Sequence, residues 1–533
     1  MYIFRGAFSR LMGRFPAYAM MLVLAAGCPG PDDPDTDPDD SGTTVKVGGK
    51  VTYDFVPATY APSSQSGTLA FSQKSVKPVR NAVVQVRQGS SVLATTNTDE
   101  QGNYQLSFKP GSGQLSVVVL AKTSTPSIQG EDNTDGDAIW AMGSTLSAAD
   151  ATVDLHAPHG WTGSGYDASK RVAAPFAVLD SMYTAARAFM AVRTVNFPAL
   201  KVNWSPDNVP ERGDKASGFI GTSHYSPSEK EIYILGKAGV DTDEFDSHVI
   251  VHEWGHYFEA GLSRSDSPGG QHGAGDVLDP RLAFGEGYGN AIAAMVLPES
   301  VYADTSWGGG TLGAFGFDAE TEPSPTDDPS PGAFSEATVL RLLYDLYDSG
   351  SGEASYDQVA VGLGPIYDVL VGSQKTTNAL TTIGSFITGL KSQPGVNAAA
   401  VNTLLAHYEL GPITTEWGDG DDGLRAMYSS ASLPYSVNVY LTGGELPNTW
   451  YQNQYYVFTG TGSSVTVTAS STSDVAIAVY KQGQVLESAD KNLTGTETLT
   501  LSSTQGSATY VVVLTGFGEA SGEYPVSLSI KSP

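Results

Sequence analysis

The stretch Val251-His252-Glu253-Trp254-Gly255-His256 decides how the rest of the chain reads. It falls in a segment predicted to be helical from about Asp243, where acids in the first turn suit the helix dipole. On a helix His252 and His256, four residues apart, share one face. Two neutral imidazoles placed in this way can each reach one zinc ion at about 2.0–2.1 Å. Glu253 is rotated by about 100° from His252, near enough to handle a water without ligating the metal. Two ligands and a general base are the minimum for metal-assisted hydrolysis. The plain alternative, two helix histidines beside a surface Glu, loses ground as the flanking sequence is added.

A catalytic zinc takes three protein ligands and keeps one position open. A third His six residues after His256 is one known spacing, but Leu262 occupies that position, and Glu259 stands where the pattern needs Gly. Two candidates remain downstream, His272 and Glu286. His272 sits in the glycine-rich segment 267–276, which can fold over a cleft and bring a donor to a developing oxyanion. Glu286 is the one acid in 281–295, an otherwise largely apolar segment predicted to be helical, so its carboxylate needs something to face. Asn290 follows one turn later on the same helix face. His248, one turn before His252, reads as a packing residue.

Taken together, 252–295 resembles the gluzincins, the thermolysin-like zinc peptidases. The resemblance implies Glu286 as the third ligand beside His252 and His256. It also implies zinc as the cofactor, and peptide hydrolysis with Glu253 taking and returning the proton. Asn290 stands where many members carry an Asp that supports a ligand imidazole; Asn can accept the same hydrogen bond without charge. The elements before the motif, helix 171–195 followed by strands at 200–204, 218–225 and 231–235, are in the order a zincin core implies. After the motif, 335–348, 356–371, 377–391 and 396–408 carry helical periodicity and form a helical second subdomain. This catalytic region spans 166–430.

The ends of the chain read differently. Arg5, Arg10 and Arg14 precede an apolar run over 15–26, and small residues lead to Cys28, the sole cysteine. Residues 1–27 resemble a bacterial lipoprotein signal peptide, which implies cleavage before Cys28 and a lipid anchor on its sulfur. A disulfide within the chain is excluded. The acidic, proline-rich 28–44 buries nothing and is predicted to be an extended tether. A net charge of −28 argues against nucleic acid as a partner. No later run of about 18 apolar residues occurs, so the expected membrane attachment is through lipid, at the cell envelope.

Short alternating strands fill 45–123 and 440–533. The first set resembles the regulatory-like β-sandwich found beside carboxypeptidases, and the second the pre-peptidase C-terminal domain. Between them, 124–165 reads as a linker and 298–332 as a loop, whose acids Asp318, Glu320, Glu322, Asp327 and Asp328 offer calcium a place without a demanding spacing. The expected architecture is therefore multidomain: an α+β zincin core between two antiparallel β-sandwiches. The expected partner is a protein or peptide substrate; oligomeric state and cleavage specificity leave no signature. The rival from another class is a non-catalytic surface lipoprotein, an adhesin or binding module on the same scaffold. Intact ligands and base favour hydrolysis.

Overall fold

Strand Val45–Phe55 turns Val45, Val47, Val51 and Tyr53 inward at alternate positions, as a half-buried strand must. In the computed structural model, which describes residues 43–146, 151–273, 275–308, 311–348, 355–418, 427–518 and 522–533, it is the centre of a five-stranded sheet. Ser75–Pro78 and Asn103–Phe108 pair with it antiparallel, and Ala151–Thr152 and Leu155–Ala157 pair with it parallel. Residues 1–42, with the expected signal segment 1–27, Cys28 and most of the expected tether, lie outside the described residues.

A second sheet has nine strands. Its main path runs Ser91–Asn97, Ala82–Gln88, Leu115–Thr123, Ile128–Asp132, Leu200–Trp204, Glu231–Ile234 and His224–Ser226. Val47, Val51 and Tyr53 of the first sheet share an apolar core with Val84, Val86, Val117 and Val119 of the second. Ile128–Asp132 joins the two halves: it pairs antiparallel with Leu115–Thr123 and parallel with Leu200–Trp204. The separate N-terminal sandwich expected over 45–123 therefore does not end at 123. The segment 124–165, expected to be a linker, supplies strands to both sheets. The reason is physical: its strands are short, and the partners of some lie about a hundred residues away, as in Val47 opposite Ala151. No local hairpin signal marks such pairs.

Seven α-helices are described: α1 (Ala174–Val192), α2 (Ser247–Leu262), α3 (Pro280–Val296), α4 (Glu336–Tyr347), α5 (Leu363–Val369), α6 (Ile383–Lys391) and α7 (Ala398–His407). In α1, Val178, Leu179, Met182, Ala186 and Phe189 are buried at three- and four-residue spacing, each worth roughly 1–3 kcal/mol of burial for the larger side chains. Phe189 stacks on Phe258 of α2, with ring centroids 4.7 Å apart. Helix α3 is buried on every side from Pro280 to Met295, as a helix apolar all round must be. Two glycines let its neighbours approach. A Cβ at Gly287 would stand 2.7 Å from Val339 of α4, and one at Gly289 would stand 2.8 Å from the His252 ring. The expected helices 356–371 and 377–391 start later than their periodicity: α5 begins at Leu363 and runs on into a π-turn over Leu370–Gln374, and α6 starts at a Thr382–Ser385 capping box.

The expected loop over 298–332 contains a hairpin instead, Val301–Gly308 with Thr311–Asp318. Tyr302 lies opposite Phe317 and stacks on it at 4.8 Å, a cross-strand aromatic pair of the kind that stabilises sheets. Glycines and acids around it hide the alternation. The five acids proposed for calcium do not gather among the described residues: Glu322 meets Tyr356 and His407, and Asp328 accepts from Thr338 at 2.7 Å.

The C-terminal strands begin at Tyr428–Ser430, earlier than the expected 440. They form a five-stranded and a four-stranded sheet around one core that includes Val467, Ile477, Val512 and Leu528. On the outer face Thr466, Thr468 and Ser470 meet Thr500, Thr498 and Thr496 across the strands at 2.9–3.4 Å. Tyr455 donates to Asp279, whose carboxylate also holds Arg281 through two nitrogens at 2.9 and 3.0 Å. This anchors the C-terminal strands to the first turn of α3.

Candidate metal centre

Helices α2 and α3 pack side by side, and their facing sides carry the residues singled out above. His252 Nε2 and His256 Nε2 lie 3.0 Å apart. Glu286 Oε2 stands 3.2 Å from the first and 3.4 Å from the second. Four ligands tetrahedral around a zinc at 2.0–2.1 Å are separated by about 3.3 Å, so the three atoms fit the corners around one ion. His252, His256 and Glu286 can hold a metal ion. His252, Glu253 and Glu286 are each less than a tenth exposed.

The hydrogen bonds around these three atoms fix their roles. Asn290 Nδ2 donates to Glu336 Oε1 at 2.6 Å, which leaves Asn290 Oδ1 facing His252 Nδ1 at 2.8 Å. An amide oxygen only accepts, so Nδ1 carries the proton and Nε2 keeps a lone pair that could serve a metal. Glu253 stands beside the three atoms without joining them, and its Oε2 accepts the Tyr225 backbone N–H at 2.7 Å. Tyr225 belongs to His224–Ser226, the edge strand of the nine-stranded sheet. His272 does not complete the triad. Its Nε2 lies 3.4 Å from Glu286 Oε2 and 3.7 Å from Glu336 Oε2.

Burial and charge oppose one another at each of these groups. Burial pushes the Glu286 carboxyl up, but His256 and His252 outweigh it and hold the group well below its usual range. Burial works against a charged His256, yet Glu286 and then Glu253 hold the ring at about 10. His272 is likewise raised, with Glu286 and Glu336 overcoming the cost of burial. Burial lifts Glu336 despite His272 beside it, and lifts Glu259, behind His256, to about 7.

Asn290 is expected to matter for affinity more than for chemistry. Asn290→Ala removes the acceptor for His252 Nδ1 and should weaken zinc binding by about 10- to 100-fold, read by competition with a zinc indicator. An unchanged affinity would detach Asn290 from the site. His248, one turn earlier, is a packing residue: its Nε2 donates to the Glu299 carbonyl at 2.9 Å. Burial pushes its pKa down to about 4. The neutral ring is the folded form, so this contribution is whole above about pH 6.5 and is lost as the pH falls towards 4. Between pH 7 and 4.5 the chain should lose about 2–3 kcal/mol more stability than its His248→Gln variant, measured by urea unfolding. Equal losses in the two would refute this.

Glu336 and the Tyr225 N–H belong to the site and escaped the sequence reading. Glu336 sits in the first turn of α4 behind the Ser335 cap, where an acid is ordinary dipole chemistry. A cavity of about 510 Å³ opens beside this network, with Tyr60, Asp276, Asn290, Phe315, Glu336 and Arg341 in its wall. Tyr60 comes from the hairpin Ala58–Ala61 with Ser66–Leu69 in the N-terminal part.

No protein-family model matches the chain, and no curated protein matches it. Part of the chain is similar to the pre-peptidase C-terminal domain of a collagenase from Bacillus anthracis, at 11% identity over 20% of this chain and 94% of that one, with a TM-score of 0.16. A similar share, 20% of this chain and 97% of the other, matches the periplasmic inhibitor of g-type lysozyme from Aeromonas hydrophila at 12% identity and a TM-score of 0.15. These are weak, partial matches and carry no argument about the site. The chain is a multidomain protein rich in β-structure, with several separate sheets and a candidate metal centre between two helices.

Proposed function

We propose that the chain hydrolyses peptide bonds as a zinc peptidase of gluzincin type, built on a zincin core. The observation that carries this reading is the convergence of His252, His256 and Glu286, with Glu253 outside that group and held by the Tyr225 N–H. Zinc, when bound, supplies Lewis acidity towards water and the substrate carbonyl. The remaining work falls to the chain. Glu253 takes the proton of the attacking water and returns it to the leaving amine. The Tyr225 N–H engages one of its oxygens and leaves the other for the proton. Asn290 fixes the tautomer of His252. His272 brings a ring nitrogen to the same side as Glu286, placed to donate to a developing oxyanion.

The edge strand His224–Ser226 offers a substrate backbone a place to pair, as extended peptides do at sheet edges. The adjoining cavity then takes a substrate side chain, and Tyr60 gives the N-terminal part a share in choosing it. The segment ending at Cys28 supports a location outside the cytoplasm on a lipid anchor. The test is turnover of a mixed library of internally quenched peptides by the purified chain. Cleavage that stops on chelation and returns with one equivalent of zinc is expected. A chain that binds zinc but cleaves nothing would be the non-catalytic surface lipoprotein instead.

A further inference from the structure

A second group of carboxylates lies near the N-terminal end of α2, and the hydrolytic reading makes no use of it. Asp241, in strand Asp241–Thr242, Asp243 just beyond it and Asp304 in Val301–Gly308 each bring an oxygen within 4.8 Å of the others. Asp243 is 3% exposed. Its Oδ2 accepts the Ser223 hydroxyl, but Oδ1 has no hydrogen-bond partner, and neither has Asp241 Oδ1. Buried carboxylate oxygens are seldom left in that condition. Among the described residues no Lys or Arg pairs with these three acids: the nearby Arg171 is taken by Glu244, and Lys237 by Asp207. Asp246 adds to the negative field but is itself satisfied, since Thr305 donates its backbone N–H at 2.6 Å and its hydroxyl at 3.0 Å.

We propose that Asp241, Asp243 and Asp304 hold a second cation, a calcium ion. The donor set is oxygen alone, which suits a hard divalent cation and not the nitrogen-rich centre beside it. Oxygens around one calcium at 2.3–2.6 Å lie no more than about 5 Å apart, and these three lie within 4.8 Å of one another. The unpartnered Asp243 Oδ1 gains the partner it lacks. Without the ion, burial and then Asp304 raise Asp241 to about 6, and burial raises Asp304 to about 6 as well. The ion ties strand Asp241–Thr242 to the hairpin that already holds Asp246, the N-cap of α2. It thereby steadies the start of the helix that carries His252 and His256.

The test uses the full chain, treated with EDTA, reloaded with one equivalent of zinc and titrated with CaCl2. We expect about one calcium per chain by equilibrium dialysis and a Tm rise of roughly 5 °C at saturation. Asp243→Asn should lose both while melting no lower than the parent in the absence of calcium, because one of the repelling buried carboxylates is gone. Asp304→Asn repeats the test at a less buried position, so that misfolding of the first variant does not decide it. Zinc content is read in parallel and should not change. Failure of the parent chain to bind calcium, an equal response to MgCl2, or retention of the full calcium response in Asp304→Asn would overturn the proposal.

Discussion

Replacing Glu253 with Gln should reduce peptide hydrolysis by on the order of a thousandfold or more while the chain keeps about one zinc. The amide has nearly the shape of the carboxylate, and Oε1 of a Gln can still accept the Tyr225 N–H that now reaches Glu253 Oε2 at 2.7 Å. What it cannot do is take a proton from water at neutral pH. Because Glu253 lies outside the group of three convergent ligand atoms, its loss leaves the metal affinity in place. The checks are initial rates on the best library peptide and zinc by atomic absorption on the same sample. Undiminished turnover with zinc present would remove Glu253 from the chemistry.

Glu286→Ala should have the complementary outcome, with zinc and activity lost together. The buried carboxylate stands 3.2 and 3.4 Å from the two imidazole nitrogens and is the only anionic ligand of the three. Without it two neutral imidazoles remain, one short of a catalytic set. The affinity loss should exceed the 100-fold at the upper end for residues that only orient a ligand, and dialysis against zinc-free buffer should leave less than about a tenth of an equivalent. Asn290 keeps its hydrogen bonds to His252 in α2 and to Glu336 in α4, so the three helices have no reason to come apart, and circular dichroism should be unchanged. Zinc retained at full stoichiometry would place the third ligand elsewhere.

Much of the centre was legible because helical geometry is local. His252 and His256 share a face by spacing alone, and so do Glu286 and Asn290. A lone acid in the apolar 281–295 marked itself by the cost of burying it unpaired. Glu336 and the Tyr225 N–H were not legible. The first is brought to Asn290 by the close packing of α4 on α3 that Gly287 permits, and the second by the register of an edge strand against α2. For the same reason strands Leu200–Trp204 and Glu231–Ile234 ahead of α2 could be read, but not the joining of Leu115–Thr123 to Leu200–Trp204 through Ile128–Asp132. Two-residue parallel pairings such as Val47 with Ala151 obey no sequence period, because tertiary packing alone sets them. The hairpin over 301–318 shows the converse: its alternation was present, but glycine and acid around it read as loop chemistry.

The most direct test of the central claim is zinc-edge X-ray absorption on the reconstituted chain. A shell of nitrogen and oxygen scatterers at about 2.0–2.1 Å, with the outer-shell signature of two imidazoles, is the predicted result, and His256→Ala, left with two of the three ligands, should not give it. A zinc ion surrounded only by oxygen, or a spectrum unaltered by His256→Ala, would contradict it.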